Sequence, residues 1–403
     1  MRCLNAQCSH KQYYIAAVEE EWDYAPSGKD LIQDLDFSLS PPEVQLTTVR
    51  TRRRIGRAYT KALYREYTDD TFTTLSIREP WLGLLGPVIR AEVGDIVEIL
   101  FLNNATIPYS IHPHGVFYTK DSEGAWHTNA TEGSSVDPGQ TFPYTWRVPE
   151  RAGPGEGDPS SILWLYHSHR SEVNDTNSGL IGPTLIYRQG SLDPETQVAK
   201  DVTTELILLF SLFDERSSQY YAQNSHRVLH AREEEGEAAK NPEIWADMMQ
   251  AINGYVYGNL PGLTVNLGDR VRWHVSAMGS ELDLHTATWN GLTLLDHGHR
   301  VDEVSLLPGT FKTVDSQPDV PGRWLISCSV HDHLVGGMAA WVHVTEHQNQ
   351  ELWQNGGSPS QTGLLAPSKQ VTLGDVGVFG WFFILATIGW WTFGMIRLRR
   401  MMT

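Results

Sequence analysis

Three stretches in the first half of the chain return in the second half, in the same order and at similar spacing. Val93-Gly-Asp-Ile-Val matches Leu267-Gly-Asp-Arg-Val, Pro138-Gly-Gln-Thr-Phe matches Pro308-Gly-Thr-Phe with one residue deleted, and Trp164-Leu-Tyr-His-Ser-His matches Trp324-Leu-Ile-Ser-Cys-Ser. A chain that repeats itself this way folds as two copies of one unit. The unit is built of strands: 96–102, 206–213 and 271–275 are short apolar or alternating runs bounded by Gly, Asp, Asn or Pro. The prediction is an all-β protein of two tandem Greek-key β-sandwiches, over 12–190 and 200–346. The best helical candidate is 231–250, where the acidic run REEEGEAAK leads into IWADMMQ as a surface excursion.

The matched positions carry chemistry. In the second repeat Cys328, His333 and Met338 are spaced five apart, with His285 upstream. Two imidazoles, a thiolate and a weak thioether are the ligand set of a blue-copper electron-transfer site. The soft sulfurs suit Cu(I) and the imidazoles also suit Cu(II). The predicted arrangement ends a strand at Cys328, and the following loop brings back His333 and Met338. Each residue taken singly reads as an ordinary buried side chain, but the four together at this spacing point to copper. The first repeat has two His-x-His pairs, His112-Pro-His114 and His167-Ser-His169. Residues i and i+2 share one face of a strand, so each pair aims two imidazoles the same way. Four converging neutral imidazoles suit copper or zinc; a single pair would read as surface histidines. Ser168 stands where the second repeat has Cys328, and Tyr109 where it has His285. Thr288, Asn290, Ser327 and Ser329 stand where the first repeat has His112, His114, His167 and His169. Each repeat keeps one kind of site and lacks the other.

Only three cysteines occur. Cys3 and Cys8 can pair with each other, which leaves Cys328 as a buried apolar group or a ligand. Toward the end, 376–396 holds no charged residue and is long enough for a helix across a hydrocarbon core of about 30 Å. Arg397, Arg399 and Arg400 follow, so the expectation is a single-pass membrane protein at the cell surface, with 397–403 cytoplasmic and 347–375 a stalk. The sequons at Asn104, Asn129 and Asn174 agree with an extracellular, glycosylated face. The tail 1–11 contains no signal-peptide run, so the true start is expected to be missing. A formal net charge of -17 argues against a nucleic-acid partner. The basic run 50–57 reads as a solvated turn. No Gly-rich phosphate loop and no serine nucleophile elbow appears.

The stretches YYIAAVEEEWDYAPSGK (13–29), WLGLLGPVIRAEVGD (81–95), YSIHPHGVFYTKDSEGA (109–125), LYHSH (165–169), SGLIGP (178–183) and AINGYVYGNLPGL (251–263), with the segment from Cys328 to Met338, carry a resemblance. The chain resembles the first two cupredoxin domains of the multicopper ferroxidases of the hephaestin and ceruloplasmin type. That resemblance implies two cupredoxin-like, plastocyanin-type sandwiches. It implies a type 1 copper held by His285, Cys328, His333 and Met338, which accepts electrons singly from Fe(II). It implies that His112, His114, His167 and His169 are half of a trinuclear copper cluster that reduces O2. The other half comes from the family's last domain, and the corresponding positions here hold Thr288, Asn290, Ser327 and Ser329. Glu281 and Asp332 match acidic positions around the family's iron site, while two further iron positions read Trp245 and Gln250. The family's disulfide positions hold Ser161 with Tyr187, and Asn266 with His347.

The expected function is thus a membrane-anchored, copper-binding oxidoreductase of the ferroxidase type in iron or copper handling, with Fe(II) and O2 as substrates. Reducing O2 to water takes four electrons and a type 1 copper holds one. A single chain is therefore expected to be incomplete as an oxidase: either it is a fragment of a longer ferroxidase, or a partner chain supplies the missing cupredoxin domain, or it does not catalyse. The alternatives are a non-catalytic cell-surface binding module, like the paired A domains of coagulation factors V and VIII, and a one-electron copper transfer protein.

Overall fold

A computed structural model describes residues 9–128, 130–226, 244–280 and 282–346. Cys3, Cys8, Asn129, Glu281, the stalk 347–375, the apolar run 376–396 and the tail 397–403 lie outside the described residues. Among the described residues no helix is long and apolar enough to cross a membrane.

The repeat seen in the sequence is a repeat of strands. In the first half, one sheet runs in the order Ala58–Tyr67, His10–Asp23, Ile96–Asn104, Thr141–Arg147, Phe117–Tyr118. The sheet facing it runs Ile89–Glu92, Ile181–Tyr187, Ser161–His167, His112–Pro113. The second half repeats both. Its larger sheet begins Met248–Ile252, Thr204–Asp214, Val271–Ala277, Phe311–Ser316, and the facing sheet begins Thr264–Asn266, Ala339–Thr345, Gly322–Cys328, His285–Trp289. Even the direction of pairing recurs: Thr184 pairs in parallel with Ile89, and Val344 with Val265. The first strand begins at His10, inside the segment read as a tail.

The three matched motifs are the joints of this fold. The Gly-Asp pairs turn the chain between strands. Asp95 accepts the amide of Glu92 at 2.9 Å and Asp269 that of Asn266 at 3.0 Å, while Gly94 and Gly268 have φ of 104° and 81°. The Pro-Gly turns close the same way, with Gly139 donating to Asn103 and Gly309 to Ala277. The tryptophans sit on glycines. A Cβ on Gly115 would lie 2.3 Å from the Trp164 ring, and one on Gly291 2.4 Å from the Trp324 ring. These two glycines also have φ of 77° and 71°, a region closed to most side chains.

Strands differ in how they are covered. Ile96–Asn104 alternates, with Val97, Ile99, Phe101 and Asn103 inward, as expected where one face meets the core. Val271–Ala277 and Ile181–Tyr187 are buried along their whole length. Their second faces lie in the seam between the sandwiches, which together form one compact unit. Arg272, Glu205 and His274 are paired in that seam, whereas the hydroxyls of Thr184 and Ser276 find no partner. Arg272 binds Asp315 and Asp201, and donates to Ser160 and Ser161. Glu205 accepts from Ser161 at 2.5 Å and from Tyr187 at 2.8 Å, and His274 lies 3.1 Å from it. Ser161 and Tyr187 face each other across neighbouring strands, so one buried carboxylate joins the two positions where the resemblance places a disulfide.

The helical reading of 231–250 does not hold where residues are described. Ile244–Asp247 is a single 3-10 turn and Met248–Ile252 is an edge strand on Thr204–Asp214. The stretch ends in Asn253-Gly254, both at positive φ. An Asn-Gly turn favours a hairpin, and with Met248, Met249, Ala251 and Ile252 all buried it outweighs helix propensity.

Gly291→Ala should cost about 1–3 kcal/mol in chemical denaturation, because it adds both a clash with Trp324 and strain at positive φ. Acid should also weaken the seam. Burial, opposed by Glu205, holds the His274 imidazole below the ordinary histidine range. Burial alone would push Glu205 up, but hydrogen bonds from His274, Ser161 and Tyr187 bring it down to about 2. Both folded-state values are lowered, so both groups stabilise the fold at neutral pH. His274 withdraws its share as pH falls below about 6.5, and Glu205 as it falls from about 4.5 toward 2, each at no more than about 1.4 kcal/mol per pH unit. The denaturant midpoint should drop from about pH 6.5 to about pH 4.5, and less steeply in His274→Gln.

Candidate metal centre

Strand register builds the first cluster. Gly322–Cys328 ends on Cys328, which lies opposite Ala287 in the strand His285–Trp289. The Cys328 amide then bonds the carbonyl of Met338, and the Met338 amide that of His333. Between them stands His331–Val335, so His333 sits on one helical turn rather than in an open loop. These ties fold the chain back over the thiol, and His285, Cys328, His333 and Met338 are all buried.

The donor atoms point at one another. The Nδ1 atoms of His285 and His333 are 3.0 Å apart, and Cys328 Sγ lies 3.7 Å and 3.5 Å from them. A triangle with these sides has its centre about 2.0 Å from each corner, the length of a metal–imidazole bond. Among the described residues this is the group of three such donors whose ligand atoms all lie within 4.8 Å of one another. Burial would push the Cys328 thiol up, but hydrogen bonds from His285 and His333 outweigh it and hold it at about 6. The thiolate a soft metal needs is therefore available at neutral pH. Nitrogen and thiolate donors suit copper, and the backbone ties keep Met338 next to them in the fold.

Sequence reasoning missed Asp283. Its buried carboxylate accepts the Leu212 amide at 2.7 Å and the Ser280 amide at 2.8 Å, and its Oδ1 lies 3.4 Å from His285 Nε2. Burial lowers the His285 imidazole, but Asp283 and Cys328 raise it further, so the net direction is up. Held at Nε2 by a carboxylate, the ring presents Nδ1 to the cluster, as metal-binding histidines commonly do. The Asp-x-His spacing was the available signal.

The second cluster lies at the other repeat's equivalent strand ends. His112 faces His167 in the strand pairing, as Thr288 faces Ser327. All four rings gather: His112 has ring centroids at 5.7, 5.6 and 5.0 Å from His114, His167 and His169, and His114 Nε2 is 3.1 Å from His167 Nε2. Phe311 from the second sandwich packs on His114 at 5.8 Å. Nδ1 of His112 meets the Glu123 carbonyl at 2.5 Å and Nδ1 of His167 the Ser168 carbonyl at 3.0 Å, which leaves both Nε2 atoms to face inward. Burial lowers His112 to about 4 and His167 to about 3, and lowers His114 too, so these rings are neutral near pH 7. Glu172 adds a carboxylate 3.3 Å from His169 Nε2.

Each sandwich has filled the site it lacks. Ser168 donates to buried Asp175 at 2.7 Å, and Leu180 bonds Ser168 and Asp175 through the backbone as Met338 bonds Cys328 and His333. Tyr109 donates to Tyr220 in the place of His285. In the second sandwich Thr288 and Ser329 share a hydrogen bond of 2.6 Å. Of the other predicted residues, Asp332 is exposed beside His333, Trp245 is exposed, and Gln250 lies against Gly336. Asn104 is exposed, whereas Asn174 is half-buried with its Nδ2 donating to Ser217.

Comparisons with known proteins find relatives of this chain. Residues 82–191 match the family model described as multicopper oxidase. The chain is 40% identical over 344 residues to Ferroxidase HEPHL1 of Homo sapiens, 40% over 342 residues to human hephaestin and 37% over 347 residues to human ceruloplasmin. These alignments cover 83%, 82% and 85% of this chain but only 29%, 29% and 32% of those proteins. It thus spans about a third of the length of the curated relatives it matches. In fold it is similar to a solved multicopper oxidase, with a TM-score of 0.53 at 16% identity over 85% of this chain and 91% of the other. A copper nitrite reductase from Nitrosomonas europaea gives 0.52 at 17% over 84% and 94%. By this family match and this identity to ferroxidases, the chain is related to the multicopper oxidases, a family that binds copper.

Proposed function

We propose that this chain is the electron-accepting part of a ferroxidase-type multicopper oxidase, anchored at the cell surface by 376–396. The observation that carries it is the triangle of His285 Nδ1, His333 Nδ1 and Cys328 Sγ. In this reading these three atoms would hold a type 1 copper, with Met338 offering a weak thioether donor. Bound there, copper supplies a one-electron couple. The protein's part is to bury the thiolate, fix both imidazoles and exclude water. Asp332, exposed next to His333, and Glu281 attract Fe(II) as the electron donor, in keeping with the ferroxidase names of relatives. The glycosylated face carries Asn104, Asn129 and Asn174. His112, His114, His167 and His169 are one half of the cluster at which O2 accepts electrons, and a partner cupredoxin domain supplies the other half. The hydrogen bond between Thr288 and Ser329 supports that division, because it occupies the place where the second sandwich would have to supply cluster imidazoles itself.

The full-length chain loaded with copper should show an intense thiolate-to-copper absorption that Cys328→Ser abolishes. With Fe(II) it should discharge about one electron per chain and consume little O2. A colourless protein would overturn the type 1 assignment and leave a binding module, while sustained O2 uptake by the chain alone would overturn the half-cluster. In the copper-free chain, with Cys3 and Cys8 replaced by serine, ultraviolet thiolate absorbance should titrate near pH 6. In His333→Ala that midpoint should move up toward the ordinary thiol range.

A further inference from the structure

The copper reading leaves one cavity of the first sandwich without a use. It measures about 580 Å³ and lies between the strand Ala58–Tyr67, the segments 75–79 and 87–90, and the turn at Thr196-Gln197. That is the size of a small-molecule pocket. Trp81, Leu82 and Val88 give it an apolar wall, and Arg65, Arg78 and Arg90 bring three guanidiniums to it. Leu75 and Ile77 line it as well, yet Leu75 is 55% exposed and Ile77 fully so. Apolar side chains therefore stand in water at its rim.

Of the three guanidiniums, Arg65 is neutralised, because it takes both oxygens of Glu20 at 2.8 Å. Arg78 is fixed in place by Nη2, which donates to the carbonyls of Gly83 and Leu85 at 2.9 and 2.8 Å. Burial, with the charge of Arg65 adding to it, brings Arg78 down to about 10. Arg90 is held at its backbone: its amide donates to the Tyr13 hydroxyl at 2.8 Å, and its carbonyl accepts from that hydroxyl at 3.1 Å. The Nε of Arg90 is buried and finds no hydrogen-bond partner. Two acids of the lining are left to answer these charges. Glu79 is exposed, and burial pushes the Glu66 carboxyl up against the pull of Arg90. Among the described residues, neither acid forms an ion pair with Arg78 or Arg90. A buried guanidinium nitrogen wants an acceptor, and a carboxylate is the acceptor that fits it. The strand framework does not ask for this arginine. Counting back four residues from Gly94 and from Gly268 puts Arg90 opposite Thr264, on strands with the same parallel pairing.

We propose that this cavity binds a small organic anion with a flat apolar body, an arylcarboxylate. Its carboxylate meets Arg90 and Arg78, and its ring system lies against Trp81, Leu82 and Val88. Trp81 and Tyr64, which also lines the cavity, favour an aromatic body over an aliphatic one. Thr196 and Gln197 belong to the connection between the two sandwiches, so a bound ligand also touches that connection.

The test titrates the full-length chain by calorimetry with 2-naphthoate, with neutral 2-naphthamide and with inorganic phosphate. One equivalent of naphthoate should bind and raise the melting temperature. The amide should bind at least about tenfold more weakly, and phosphate should not compete. Arg90→Gln should weaken naphthoate by about tenfold or more while the ligand-free melting temperature stays the same, and Arg90→Lys should restore part of the loss. Thr196→Trp, at an exposed position of the lining, should block binding by filling the cavity, and it decides the matter should Arg90→Gln not fold. No binding of naphthoate, or equal binding of naphthoate and naphthamide, overturns the proposal. Displacement by phosphate overturns the arylcarboxylate class. Unchanged affinity in both Arg90→Gln and Thr196→Trp puts the probe elsewhere and overturns the site. The type 1 reading is tested separately by its absorption band and stands or falls without this cavity.

Discussion

Three buried donors that face one another set the terms for the rest of the second sandwich. Two imidazole nitrogens 3.0 Å apart and a sulfur within 3.7 Å of each form a polar group that water does not reach. Buried polar atoms must find partners, and these find each other. Every nearby tie serves that meeting: the strand pairing that ends at Cys328, the backbone bonds from Cys328 to Met338 and from Met338 to His333, and the grip of Asp283 on His285. A soft thiolate between two rings is a good copper site because folding has already brought the donors together.

The seam between the sandwiches plays the corresponding part for the molecule as a whole. Strands that would alternate on an open sheet are buried on both faces there, and two of the residues they carry, Arg272 and Tyr187, are joined across the seam. Glu205 is the clearest case, because one carboxylate takes hydrogen bonds from Ser161 and Tyr187 of the first sandwich and lies 3.1 Å from His274 of the second. A disulfide at that place would have tied two strands of one sandwich. The carboxylate ties those strands and the neighbouring sandwich together, and it works only while it is ionised.

The duplication was legible in the sequence because it rests on residues that cannot be exchanged. Gly115 and Gly291 must be glycine to pass under a tryptophan, and Gly94 and Gly268 to turn at positive φ. The spacing of Cys328, His333 and Met338 was legible for the same reason: a short return of the chain over the thiol allows few alternatives. What was not legible depends on distant partners. Met248–Ile252 looked like the end of a helix because its partner strand, Thr204–Asp214, lies far back in the chain, while the adjacent Asn253-Gly254 turn only closes Ile252 onto Tyr255. Asp283 and Glu205 were simply two among many acids until packing buried them.

The two sandwiches also show how one strand framework carries clustered donors in one half and paired polar side chains in the other. Removing an imidazole or a thiol from a buried cluster strands the remaining polar atoms, which costs about 1–3 kcal/mol for each one left unpaired. Here the replacements pair with polar neighbours. Ser168 bonds Asp175, Tyr109 bonds Tyr220, and Thr288 bonds Ser329. Both strand frameworks survive with the same register, His112 against His167 and Thr288 against Ser327. Because each vacated site is internally satisfied, restoring a single ligand would break a hydrogen bond before it gained a metal. The difference between the two halves is therefore held by the polar pairs at one place and by the clustered donors at the other.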